Sequence, residues 1–303
     1  MDEAITKAKK IIEGYPETKF SGEEYQRFYD CVYFMCTYHS SDEKTMQLYQ
    51  KFRNSLEESI HSTVLPTLIN KHGAHLLREF IVMWSNYKLM ARWLCRFFEY
   101  LDRFFIPQNG ELESLHGISF TCFHKLVFKK LIGTLFDAAL TLICQEREGL
   151  QIDYILLKNV VDMFVEFGDS DYGGSNYYQD FEMKVLADNS NYYSRLASEW
   201  LPFDSSTEYI NKVFWCLNRE KQSASHYLHP GSEAMILQNV RYHLLHKVAN
   251  KLIEKKQAEN SGLVTDHQEM LSKCAGMSLQ EGSSSTSSEE WLSKLMESSA
   301  RIG

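Results

Sequence analysis

Five prolines and 15 glycines are all that this 303-residue chain offers as breaks in regular structure. An all-β fold needs turn residues at short, regular spacing, so their scarcity disfavours one and fits long helices joined by short connections. No run of ~18 apolar residues suggests a membrane span, and the N-terminus, MDEAITKAKKIIEG, lacks the apolar block of a secretion signal. Positive charge is also short. A formal net charge of −8 argues against nucleic acid or an anionic membrane as the main partner, because both recruit a basic surface. The cysteines at 31, 36, 95, 122, 144, 216 and 274 include no C-x-x-C pair, which excludes the usual cysteine zinc sites. Spread singly through apolar patterns, they read as buried thiols in a reducing compartment, cytoplasm or nucleus.

Signs of catalysis are equally sparse. There is no phosphate-binding glycine motif and no G-x-S-x-G elbow. His72/His75, His226/His229 and His243/His246 are paired at three-residue spacing, but two ligands do not make a metal site and no pair has an obvious third partner. Cys31, Cys95 and Cys122 sit among large apolar residues, where a thiol packs rather than attacks. The carboxylates are scattered over helix faces as solvated charge. No catalytic residue, cofactor or metal is expected, and the chain does not read as an enzyme.

What the sequence has in abundance is helical periodicity. A first helix spans about Ile5 to Gly14, with Ile5, Ala8, Ile11 and Ile12 on one face. Ser21 and Glu24 form a capping-box pattern that opens a second helix, rich in aromatics, to about Tyr38. A third runs from Glu43 to about Leu65, where Pro66 kinks or ends it. Residues 70–83 and 84–106 give two more, so five helices fill the first ~105 residues as one unit. Further helices are predicted over Phe120–Glu146, Ile152–Phe167, Tyr177–Ala187, Tyr192–Leu201, from a second capping box at Ser205 and Glu208 to about Ser225, and over Glu233–Glu259. GDSDYGG, from Gly168, reads as a surface loop. GSSSTSSEE, at 282–290, is too polar to offset the entropy of ordering.

One helix stands out. Over 84–106, Tyr87, Met90, Leu94, Phe98, Leu101 and Phe105 make one apolar stripe, and Trp93, Phe97, Tyr100 and Phe104 make a second. A surface helix needs an apolar arc of only about 100°, whereas this one has roughly 180°. Either both stripes are buried within its own domain, or the aromatic, Arg-rimmed one meets another protein, since aromatics with Arg make interface hot spots.

The segments FYDCVYFMCT (28–37), STVLPTL (62–68), WSNYKLMARWLCRFFEYLDRFFI (84–106), EREGLQIDYILLKNVVDMFVEFG (146–168), NYYSRLASEWL (191–201) and SASHYLHPGSEAMILQNV (223–240) resemble, in order, the amino-terminal half of cullins, closest to the plant cullin-1 type. The resemblance runs from about residue 5 to about 258. It implies an all-α, elongated stalk of two five-helix cullin repeats, α-solenoid-like, over 1–112 and 113–260, with a divergent, Ser-rich and largely disordered tail over 261–303. It also implies a scaffold of SCF-type cullin-RING ubiquitin ligases, in which helices 2 and 5 of the first repeat bind a Skp-type adaptor carrying an F-box protein. Tyr25, Phe28, Tyr29, Trp93, Arg96, Phe97 and Tyr100 are the corresponding candidate contacts, and Phe97→Ala or Tyr29→Ala is expected to weaken adaptor binding. The family's leader before the first helix, its third repeat and its RING-binding, neddylated domain have no counterpart, so no RING subunit is expected and a regulatory or competing partial cullin is. The competing readings are assembly with a separate catalytic half, a non-functional truncated cullin duplicate, and an unrelated armadillo- or HEAT-like module. Repeats of the last kind hold only two or three helices.

Overall fold

The computed structural model describes residues 1–38, 42–168 and 175–260. Every regular element in them is helical. The polar break at Ser40 and Ser41, most of the GDSDYGG loop, and the Ser-rich tail with Cys274 lie outside the described residues. The chain forms two compact units, one from Met1 to Phe181 and one from Glu182 onward.

In the first unit, α1 (Asp2–Lys9) is followed by tight turns to Gly14, whose φ of 107° stops the helical path. The predicted inward face, Ile5, Ala8, Ile11 and Ile12, is buried across helix and turns alike. The helix α2 (Gly22–Thr37) starts at the expected capping box: Ser21 Oγ accepts from the Glu24 amide (3.1 Å) and Glu24 Oε2 accepts from the Ser21 amide (2.8 Å). Lys7 of α1 bonds the same Glu24, tying the first two helices together, and holds its carboxyl below the usual carboxylate range.

The next rod is α3 (Asp42–Ser59), a wider π-helical turn over Ile60–Val64, and α4 (Leu65–Leu68). Pro66 has no amide hydrogen and crowds the carbonyl four residues back, so the helix loosens before it and continues rather than ending. The two helices predicted over 70–83 and 84–106 run together as α5 (Gly73–Phe97), because no proline or glycine between Ala74 and Phe97 can stop them. A π-helical turn, Leu101–Phe105, extends α5 until Pro107 and Asn109 end it.

The helix predicted from Phe120 starts five residues earlier. Ser114 caps α6 (Leu115–Phe123), accepting from the Gly117 amide at 3.0 Å, and every residue of α6 but His116 is buried. A π-helical turn, His124–Phe128, leads into α7 (Lys129–Arg147), and α8 (Tyr154–Gly168) is capped by Asp153. The core of this unit is aromatic. Trp84 and Tyr87 of α5 meet Phe123 at 4.6 and 4.9 Å, Trp84 meets Phe167 of α8 at 4.7 Å, and Phe128 stacks on Phe167 at 3.9 Å. Each ring buried this way contributes about 1.5–3 kcal/mol. His124 is enclosed by the same rings, bonds Tyr177 Oη at 2.8 Å, and is pushed down to about 4 by burial, with Lys129 and Lys125 adding to the shift.

The helix α9 (Tyr177–Phe203) spans the boundary between the units and joins the two helices predicted over 177–187 and 192–201. Its polar stretch Asp188–Asn191 reads as a break but is an interhelical network. Asn239, on α11 (Ser232–Leu244), donates to Leu186 O, Asn189 Oδ1 and Ser190 Oγ at 2.9–3.2 Å. Tyr193 Oη donates to the buried Glu220 of α10 (Ser206–Tyr227) at 2.8 Å. The second capping box forms as predicted, with Glu208 facing the Ser205 amide at 3.0 Å. The single helix predicted over 233–259 is divided into α11, a 3-10 turn and α12 (Ala249–Asn260). Tyr209 Oη bonds the Leu244 carbonyl at 2.8 Å, and the chain leaves helical geometry at Leu245.

Candidate functional site

Within the first unit, α2 packs on both α3 and α5, and Phe28, Val32 and Cys36, one turn apart, form its buried face. The stripe Tyr87, Met90, Leu94, Phe98, Leu101 and Phe105 of α5 and its extension is entirely buried. The second stripe turns toward α2. Phe97 is 0% exposed and meets Phe28 edge-on at 5.3 Å, while Phe20, from the α1–α2 connection, covers Phe97 at 4.9 Å and Trp93 at 4.8 Å. The ammonium of Lys7 sits 4.9 Å from the Phe20 ring and holds that lid over the pair.

Outside this packing the same two helices carry a band of rings. Tyr25, Tyr29 and Tyr33 follow at four-residue spacing along α2, with the first two 6.3 Å apart. Tyr33 meets Tyr100 at 5.3 Å and Tyr100 meets Phe104 at 4.7 Å, so rings cross from α2 to the extension of α5. Phe34, 49% exposed, and Tyr38, 73% exposed, flank these rings, and Phe104 is 51% exposed. Arg96 is exposed and lies 5.4 Å from the Trp93 ring. Burial, with Cys36 and the neighbouring tyrosines nearby, pushes the Tyr100 hydroxyl up, so it is a neutral hydrogen-bonding group at neutral pH. Solvent-facing aromatics of this density are more than the packing of α2 on α5 requires, and rings of this kind are what interface hot spots are made of.

The seven residues singled out in the sequence are therefore all gathered on α2 and on α5 with its extension, at two depths. Tyr25, Tyr29, Trp93 and Tyr100 are half-buried and Arg96 is exposed, within reach of a partner. Phe28, 3% exposed, and Phe97 lie inside and hold the two helices at their spacing. Tyr33, Phe34, Tyr38 and Phe104 belong to the same surface and were not singled out. Tyr33 is the next member of the Tyr25/Tyr29 row, and Phe104 the next of the Tyr100 row, so four-residue spacing carried the signal.

No competing chemical centre accompanies this surface. Among the described residues no cluster of three or more His, Cys, Asp or Glu side chains offers a metal site, and no helix is long and apolar enough to cross a membrane. Burial raises the thiols of Cys95 to about 12 and of Cys122 and Cys216 to about 11, so they stay protonated and are poor nucleophiles.

The Cullin alpha solenoid domain matches residues 3–297, past the point where the segments quoted above end. The chain belongs to the cullin family. Cullin-1 of Oryza sativa subsp. japonica is 45% identical over 267 residues, 88% of this chain and 35% of that protein. Cullin-2 of Arabidopsis thaliana is 36% identical over 88% of this chain and 36% of its own length. Cullin-like protein 3 of the same plant is 37% identical over 81% of this chain and 93% of its own. The chain thus spans about a third of the length of the first two and most of the third. In this cullin the described helices are the solenoid domain, and the aromatic band lies on its amino-terminal unit.

Proposed function

We propose that this cullin is a non-catalytic scaffold of SCF-type ubiquitin ligases, docking a Skp-type adaptor with its F-box protein on the α2–α5 face. The observation that carries the reading is the pair of partly exposed ring groups, Tyr25 with Tyr29 and Tyr33 with Tyr100 and Phe104, rimmed by Arg96, on the helices where the family resemblance locates the adaptor. Aromatic rings lose little conformational freedom when docked and bury a large area, which makes them efficient anchors. An excess of these 303 residues occupies the adaptor and so competes with other cullins for substrate receptors. The cytoplasm and nucleus, where such ligases work, are the proposed sites of action.

Calorimetric titration of the chain with a purified Skp-type adaptor bound to an F-box protein tests the docking. Adding an excess of the chain to a ubiquitination reaction run by a full cullin tests the rest. The proposal expects binding in the micromolar range or tighter and inhibition of that transfer. Absence of binding overturns it, and transfer that an excess of the chain leaves undiminished overturns the competing role.

A further inference from the structure

The opposite flank of α5 carries a second feature. A groove of about 750 Å³ runs along α5, bordered by α6 and by Glu166 of α8. Its floor includes Leu89, Ala91 and Phe120, and its rim is charged. The carboxylates there are already engaged. Glu166 holds Lys88 at 2.8 Å and accepts from Trp84 Nε1 at 2.9 Å, Glu99 holds Arg103, and Asp102 accepts from the Leu115 amide at 2.9 Å. Arg92, Arg96 and His116, all exposed, have no carboxylate partner among the described residues. In a chain of net charge −8 this leaves two uncompensated guanidinium cations, Arg92 and Arg96, above an apolar floor.

The groove borders α5 from Trp84 to Asp102, about 27 Å at ~1.5 Å per residue. That is longer than a single phosphate or nucleotide needs and fits roughly eight residues of extended peptide at ~3.3 Å each. The register agrees. Arg92 and Arg96 stand one helical turn apart, about 6 Å along the axis, and same-face side chains of an extended peptide repeat every ~6.6 Å. We propose that this groove binds an acidic peptide segment of a partner protein, with carboxylates at alternate positions set against Arg92 and Arg96 and a neighbouring bulky apolar side chain on the Leu89–Phe120 floor. The site is separate from the α2–α5 face, sharing only Arg96 at its edge.

The test is fluorescence anisotropy of the full chain with labelled octapeptides that carry Asp at the second and fourth positions followed by Leu or Trp, beside matched peptides with Asn at both. The acidic peptides bind and the Asn peptides do not. Arg92→Glu weakens binding about tenfold or more, and raising salt from ~0.05 to ~0.5 M weakens it too. Tyr29→Ala, on the other face, leaves it unchanged; should Arg92→Glu not fold, Arg92→Gln replaces it. The proposal is overturned if no acidic peptide binds, if the Asn peptides bind equally, or if a folded Arg92 variant keeps full affinity. Loss of binding in folded Tyr29→Ala overturns it as well, by moving the peptide to the other face.

Discussion

Replacing Phe97 by alanine empties a site enclosed by Phe20, Phe28, Tyr25 and Trp93, with ring centroids 4.9, 5.3, 6.2 and 6.0 Å away. The ring is wholly out of solvent, so its removal costs transfer energy and leaves a cavity, about 3–5 kcal/mol together. For a unit of this size each kcal/mol lowers the melting temperature by roughly 2–4 °C, which gives about 6–20 °C. Phe104→Ala, at a half-exposed ring, stays within ~0.5 kcal/mol of the parent. Thermal melts followed by helical circular dichroism compare the two. If Phe97→Ala melts beside the parent, or Phe104→Ala falls as far, the assignment of inner and outer rings is wrong. The same contrast reaches function: Phe97→Ala weakens adaptor binding by letting α2 shift, whereas Phe104→Ala acts only through lost contact and weakens it with no change in melting.

Ser21→Ala removes the hydroxyl half of the α2 capping box and lowers stability by about 1 kcal/mol, measured by denaturant unfolding. His124, held down to about 4 in the folded chain, is protonated in the unfolded chain as pH falls through about 6.5. The unfolded state then binds more protons, so stability is complete above about pH 6.5, falls by about 3 kcal/mol down to about pH 4, and is flat below. His124→Phe removes that window from the pH profile, and a profile identical to the parent's refutes the role. Glu220→Ala leaves the Tyr193 hydroxyl and the Asn189 amide without their buried acceptor and costs ~2–4 kcal/mol in unfolding experiments; Glu220→Gln, which keeps an acceptor, costs less.

The parts legible in the sequence are those with a local cause. Both capping boxes form where Ser-x-x-Glu stands, and the stripe from Tyr87 to Phe105 that three- and four-residue spacing puts on one face is buried as one face. What was not legible depends on other helices. The stretch Asp188–Asn191 reads as a break because its polar groups have no partner within the segment; Asn239, some fifty residues on, supplies one. The split after Leu244 is likewise set by a distant tyrosine, Tyr209, which occupies a carbonyl of the helix ladder. For the site, periodicity identified two aromatic stripes but not their depth. Phe20, in an irregular connection, covers Phe97 and Trp93 and leaves Tyr100 and Phe104 to the surface, a placement that helical spacing does not encode.

The central claim is that the exposed rings of α2 and α5 form the docking face, and Tyr29→Ala/Tyr100→Ala tests it most directly. Both side chains are only half-buried, so the double variant melts several degrees lower but stays folded at the assay temperature. Its calorimetric affinity for the Skp-type adaptor is measured beside the parent's. The account predicts a loss of more than ~1 kcal/mol for each ring, at least tenfold for the pair. Unchanged affinity in the folded double variant contradicts it and places the adaptor, or whatever this cullin binds, on another surface.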